Sequence, residues 1–337
     1  MATTIRDAVL EIASNVPSSK PLAVSPTSAP AGAIEEAKLL PLVGQLRELL
    51  SADSLTPEVA AEAAAHKDDF TLARFLIARD LKLAAAATMF RETMEFRATR
   101  KVNALRCELH PAAKHAPGSA SEVRHAASRA HFFAGFGGVT RDGSPFFLEQ
   151  MGRFDVYAAN RSADVFDLMM DSYITYLETA FASVRLASAK SGCMQRAHSI
   201  VDASGVSLSH ATNVRVIKAV AKIGTSHYPE IMKKVWIVNV PWAFAAAWNL
   251  VAPLLPEQTR KKVGIFGKNY LPQLLQEIDE SELPKILGGT KESFVETVPR
   301  AEKIPEGLGE QLKAARPQGQ MAYAVADEKA DAPVAIS

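Results

Sequence analysis

The chain has 337 residues, a formal net charge of +1 and 48% apolar residues, enough to bury a large core in one composite globular body with tails. So even a balance excludes a global attraction to nucleic acid or to anionic membranes and leaves electrostatic recognition to a local patch. Its two cysteines, Cys107 and Cys193, exclude a disulfide framework and a thiolate metal site, and they fit a reducing, cytoplasmic setting.

Along the chain, Met1 to Leu10 lack the continuous apolar stretch of a secretory signal. Asn15 to Gly32 is rich in Ser, Pro and Ala, so residues 1–35 are expected to be a disordered segment. A helical lobe is predicted over 36–128. Thr56, Pro57 and Glu58 make a helix start, with a hydroxyl cap, a proline at the first position and an acid in the first turn. Asp69 is placed to cap the next helix, whose apolar face is Leu72, Phe75, Leu76 and Ile77; a third helix carries Met89, Phe90, Met94 and Phe96. Over 129–300, β-rich runs alternate with amphipathic helical runs, which predicts an α/β lobe built on a mostly parallel sheet. The turn at Asp142 and Gly143 leads into a strand at Pro145 to Gln150, followed by a helix from Ala163 to Ala187 and a strand from His198 to Asp202. A helix from Ser209 to Ile223 precedes a strand from Val235 to Val240, an apolar helix from Trp242 to Leu255 and a strand from Val263 to Phe266. Residues 301–337 read as a mostly disordered tail.

No P-loop, nucleophile elbow, zinc-protease helix or dinucleotide fingerprint is present, so neither a catalytic site nor a cofactor is expected. Gly135, Gly137 and Gly138 read as a loop of small residues without the lysine of a phosphate loop. His110, His115, His125 and His131 lack metal-ligand spacing. The sequon Asn160 to Ser162 is a chance match in a cytoplasmic chain. The uncharged stretch from Val235 to Pro256 is long enough to span a bilayer. Pro241, Pro253, Asn239 and Asn249 interrupt it, and a strand followed by an apolar helix suits it better. In that helix Trp242, Phe244, Trp248, Leu250, Val251, Leu254 and Leu255 point in several directions. It is either buried on all sides or packed on acyl chains inside and a bilayer outside; periodicity leaves both open.

Six segments, in this order and spacing, resemble the CRAL-TRIO family: Asp69 to Asp80 (DFTLARFLIARD), Asp142 to Pro145 (DGSP), Ile200 to Gly205 (IVDASG), Tyr228 to Glu230 (YPE), Ile237 to Pro241 (IVNVP) and Leu283 to Thr290 (LPKILGGT). Within it the chain is similar to the Sec-fourteen-like phosphatidylinositol transfer proteins. That resemblance implies a helical lobe and a sheet flooring an apolar lipid cavity, closed by a mobile gate helix, here Trp242, Phe244, Trp248, Val251, Leu254 and Leu255. It implies one phospholipid per molecule, a transient membrane surface as partner, no nucleic acid, a monomer, and presentation of lipid to phosphoinositide kinases. The family's phosphatidylinositol head-group residues fall on Arg79, Glu230, Thr259 and Lys262. Two basic positions of the family are replaced by Asp80 and Ile231, which implies thinner head-group contacts. In the pocket for the second lipid, phosphatidylcholine, Phe136 and Phe147 stand for tyrosines and Ala197 and Gly224 for serines, and only Ser199 keeps a hydroxyl. The expectation is retained phosphatidylinositol and an altered second ligand. A carrier of a tocopherol, retinoid or sterol-like hydrophobe on the same fold, or a non-lipid interaction module, is the alternative.

Overall fold

The computed structural model describes residues 31–51, 55–207, 210, 213–241, 244, 248–249, 252–255, 257–292, 304–305 and 307–316. Six helices come first: α1 (Ala31–Ser51), α2 (Pro57–Ala65), α3 (Asp69–Ile77), α4 (Leu83–Arg100), α5 (Val102–Leu109) and α6 (Ala120–His131). Helix α1 starts at Ala31, inside the segment read as a tail. Thr56 caps α2, accepting from the Val59 amide. Asp68, one residue before the position expected, caps α3 by accepting from Thr71, because the cap must lie outside the first helical residue to reach that amide. Leu46, Leu72, Phe75, Leu76, Phe90 and Met94 close one core between α1, α3 and α4, with the Phe75 and Phe90 rings edge to face at 5.2 Å.

The second part is a five-stranded sheet in sequential order: β1 (Ala134–Val139), β2 (Pro145–Gln150), β3 (Ala197–Asp202), β4 (Met232–Val238) and β5 (Val263–Ile265). Only the β1–β2 pair is antiparallel. Between strands run α7 (Val156–Arg161), α8 (Ala163–Ser191), α9 (Val214–His227) and α10 (Glu257–Arg260), and α11 (Leu271–Leu275) follows the sheet. Asn213 caps α9, which therefore starts later than the expected Ser209; residue 209 lies outside the described residues.

Strand β1 was not foreseen, since Gly135, Gly137 and Gly138 read as a loop. Gly135 and Gly138 pair with Leu148 and Phe146 of β2, Gly137 lies at the irregularity between them, and at Gly137 and Gly138 neighbours leave no room for side chains. A Cβ on Gly137 would meet the Phe146 ring, and one on Gly138 would lie 2.8 Å from the Glu282 carboxylate.

Alternation divides the sheet into two faces. Phe146, Leu148, Ile200, Trp236 and Val238 pack on Tyr270, Leu274, Ile278, Leu283 and Leu287. The opposite face carries Phe136, Phe147, Glu149, Ser199, Val201, Val235 and Ile237 and looks toward α8, α9 and the segment holding Phe244 and Trp248.

The helical lobe is fixed to α8 by buried ions. Arg97 binds the Glu178 carboxylate and, at 2.8 Å, Glu62, while Arg100 and Arg124 share Asp171. In the C-terminal segment read as a tail, α12 (Leu308–Ala314) buries Leu308 and Leu312, and Arg316 holds Asp164 and Asp167 of α8 at 2.8 and 2.7 Å. No described helix is long and apolar enough to cross a membrane. The stretch from Val235 contributes β4 instead.

Candidate functional site

The turn Tyr228-Pro229-Glu230 joins α9 to β4, with Glu230 in the left-handed region (φ 52°). This turns the Glu230 carboxylate toward Lys262, whose Nζ donates to both oxygens at 3.0 and 2.9 Å, and toward Arg196, whose Nε donates at 3.1 Å. Lys262 is held in place by its backbone: its carbonyl accepts from Val235 of β4 at 2.9 Å, and its amide donates to the Thr259 carbonyl at 3.0 Å. Beneath them Arg74, fully buried, donates to the carbonyls of Gln195 and Glu230. Desolvation, and then the charge of Arg196, push its guanidinium down to about 9.

Of the four head-group residues expected from the sequence, the structure thus brings together Glu230 and Lys262, with Thr259 joined to them through the backbone. Arg79 stands apart. It donates to the Ala78 carbonyl at 3.0 Å, makes no ion pair among the described residues, and leads into a turn with left-handed Asp80 and Leu81. Arg196 was missed. Its place beside Glu230 follows from the β3–β4 register, in which Ala197 pairs with Met232, and register is not written in local composition.

The five positions assigned to a second-lipid pocket lie around the inner face. Phe136 pairs with Phe147 across β1–β2, their rings 5.8 Å apart, and Phe147 pairs with Ser199 across β2–β3. Ala197 lies on the same side as Ser199. Gly224 of α9 faces α8, where a Cβ would touch the Tyr173 hydroxyl at 3.5 Å. Three further residues join this region: Tyr173 and Tyr176 of α8, with rings 6.1 Å apart, and Glu149, two residues after Phe147 on the same face of β2. Glu149 and Tyr173 are half-buried.

Burial pushes the Glu149 carboxyl up from 4.5 to about 7, and burial followed by the Glu149 charge pushes the Tyr173 hydroxyl up. Between about pH 4.5 and 7 the folded protein therefore holds a proton that the unfolded chain has released, so stability falls as pH rises through that window. The difference amounts to roughly 3 kcal/mol at 1.36 kcal/mol per pKa unit. Glu149→Gln should remove it. Thermal unfolding of the lipid-free protein should show the variant gaining more over the parent at pH 8 than at pH 5, and an equal gain at both values would contradict the burial of this carboxyl.

At the β4–β5 end of the inner face, Phe244 is buried against Val201, Ala203 and Ile237 and stacks on Trp248 at 6.4 Å. Trp242 and Val251 of the expected gate helix lie outside the described residues, as does the side chain of Leu254. An uninterrupted helix to Leu255 does not form. Ala252 to Leu254 is a 3-10 turn around Pro253, which has no amide to continue an α-helix. Gly264 serves packing: a Cβ there would lie 2.7 Å from the Phe266 ring. No metal-holding set of His, Cys, Asp or Glu occurs among the described residues.

The CRAL/TRIO domain profile matches residues 129–289, the span of the sheet and its crossovers. Over 225 residues the chain is 31% identical to the Sec14 cytosolic factor of Schizosaccharomyces pombe, covering 66% of this chain and 74% of that protein. The chain belongs to the CRAL/TRIO family. A plant relative, the phosphatidylinositol/phosphatidylcholine transfer protein SFH12 of Arabidopsis thaliana, is 27% identical over 76% of this chain and 45% of its own length. Among solved structures, the crystal structure of Sfh5 aligns over 84% of this chain and 94% of its own at 16% identity, with a TM-score of 0.44. The expected class therefore stands: a CRAL/TRIO chain of Sec14-like kind, with N-terminal helices ahead of a mostly parallel five-stranded sheet.

Proposed function

We propose that this CRAL/TRIO chain binds one phosphatidylinositol molecule, acyl chains on the inner sheet face and head group at the Glu230 turn, and carries it between membranes. The observation that carries the proposal is the placement of a charged cluster, Glu230, Lys262 and Arg196, at the ends of strands whose inner face is mostly apolar, with Glu149 and Ser199 as its polar members. A cation suits a phosphodiester, and a carboxylate and a hydroxyl suit inositol hydroxyls; Glu230 and Thr259 supply the latter pair. The names of the relatives, a cytosolic factor and a phosphatidylinositol/phosphatidylcholine transfer protein, support the same reading.

The energetics explain why a protein is needed. A diacyl lipid entering water exposes some thirty methylenes at about 0.8 kcal/mol each, so unaided desorption faces a barrier of order 20 kcal/mol. An apolar cavity of matching shape removes most of it. The segment holding Phe244 and Trp248 acts as the gate, opening on a membrane surface and closing over the chains. No bond is made or broken, so the chain is a carrier rather than an enzyme, working in the cytoplasm with transient membrane contact and presenting lipid to phosphoinositide kinases. Phenylalanines at 136 and 147 and small residues at 197 and 224 remove polar contacts from the second site, each worth about 1 kcal/mol net, and so alter the second ligand.

Native mass spectrometry of protein incubated with mixed vesicles tests this. One bound phosphatidylinositol and little phosphatidylcholine is the expected spectrum. Protein that takes up phosphatidylcholine as well as it takes up phosphatidylinositol would remove the second-ligand assignment, and protein that takes up no phospholipid would remove the whole proposal.

A further inference from the structure

At the Glu230 turn, more positive charge is gathered than one carboxylate can balance. Lys262 alone covers both Glu230 oxygens. Arg196 adds only its Nε, and its two terminal amino groups meet no acceptor among the described residues while the side chain keeps 26% of its exposure. Below, Arg74 is buried without exposure, and the next ion pair along is Arg185 with Asp68. Arg74, Arg185, Arg196 and Lys262 against Asp68 and Glu230 leave two positive charges over. A half-buried surplus of this kind is stabilised by an anion.

The same cluster fixes where the anion sits. The Arg74 guanidinium holds the carbonyl of Gln195, the residue before Arg196, and the carbonyl of Glu230. The two turns carrying Arg196 and Glu230 are thus clamped to one buried point, which aims the open edge of the Arg196 guanidinium beside the Glu230–Lys262 pair. A planar fork with unused parallel donors matches two oxygens of a phosphate.

We infer that Arg196 is a head-group residue of this site: its open edge takes the phosphodiester of an anionic lipid while Glu230 and Lys262 stay paired. The inference rests on the proposed lipid function and names what selects its ligand. A monoanionic phosphodiester offsets part of the surplus, whereas a zwitterionic head group brings no net charge to it.

Soluble glycerophosphoinositol carries the same phosphodiester as the lipid, so two arms separate the sources. In the first, glycerophosphoinositol is titrated into the full chain and its affinity read from the thermal midpoint. In the second, phosphatidylinositol and phosphatidylcholine uptake from vesicles are compared. Arg196→Gln is expected to weaken glycerophosphoinositol about tenfold or more and to lower phosphatidylinositol uptake by a similar factor. Arg196→Lys, which keeps the charge without the fork, is expected to restore only part, and it serves as the test if the glutamine variant unfolds. Unchanged glycerophosphoinositol affinity in either variant, or no binding by the parent chain, overturns the inference. Arg196-dependent binding of glycerophosphoinositol without uptake of phosphatidylinositol upholds the site and removes the transfer proposal instead.

Discussion

Replacing Arg97 with alanine is expected to destabilise the protein by about 3–5 kcal/mol. The size follows from what the change leaves behind. Glu178, at 1% side-chain exposure, receives two nitrogens of Arg97, and Glu62 receives a third at 2.8 Å. Burial raises the Glu178 carboxyl, and Arg97, with smaller help from Arg106 and the Tyr228 hydroxyl, brings the net direction down; without Arg97 a desolvated carboxylate remains with those weaker partners, Arg106 at 3.7 Å among them. At about 2.1 cal/mol/K of unfolding entropy per residue, each kcal/mol moves the midpoint of a chain of this size by about 1.5–2 °C, so a fall of roughly 5–10 °C is expected in thermal unfolding. The contact also bridges the helical lobe and α8, so loss of Arg97 should loosen the two together. A shift within 2 °C would show that the bridge contributes no net stability. Arg97→Met combined with Glu178→Leu should recover part of the loss, because the buried Glu178 carboxylate is then gone while Glu62 keeps the Asn103 amide at 2.6 Å.

The second large effect is on the proposed function. Lys262→Ala and Glu230→Ala are each expected to lower phosphatidylinositol transfer more than tenfold, since a hydrogen bond to a charged group is worth about 1.5–3 kcal/mol. The two act differently. Without Lys262, Glu230 keeps only the Arg196 Nε, and one cation fewer offsets the repulsion between its charge and a phosphate. Without Glu230, three cations face one another, and the inositol ring loses its acceptor. Because the pair is coupled, the double variant should be less impaired than the sum of the singles. Transfer assays on all three, with circular dichroism to confirm folding, measure this. Additive losses would mean that the two residues do not share one ligand.

The sequence made the strands legible wherever alternation or a continuous apolar run was clean: Pro145 to Gln150 forms β2 as expected, and β3 and β5 differ from expectation by one residue at an end. It failed where tertiary contact set the structure. Gly137 and Gly138 read as a loop locally, yet they lie in a strand, where Phe146 and Glu282 fill the space a side chain would need. The Tyr-Pro-Glu segment pointed to Glu230, and Lys262 reaches it through a backbone bond to β4. Arg79 sits in a turn that its motif alone did not aim, and Arg196, which the structure puts in contact with Glu230, carries no motif at all. Glu149 was hidden for another reason. An acid within an apolar strand reads as solvent-facing, whereas the period of two puts it on the same side as Phe147.

Transfer of labelled phosphatidylinositol from donor to acceptor liposomes by the unmodified chain, beside labelled phosphatidylcholine, decides whether this protein is a phosphatidylinositol carrier. Protein-dependent transfer of phosphatidylinositol and little of phosphatidylcholine is expected. Folded protein that moves no phosphatidylinositol would contradict this and assign the inner face of the sheet to another hydrophobe.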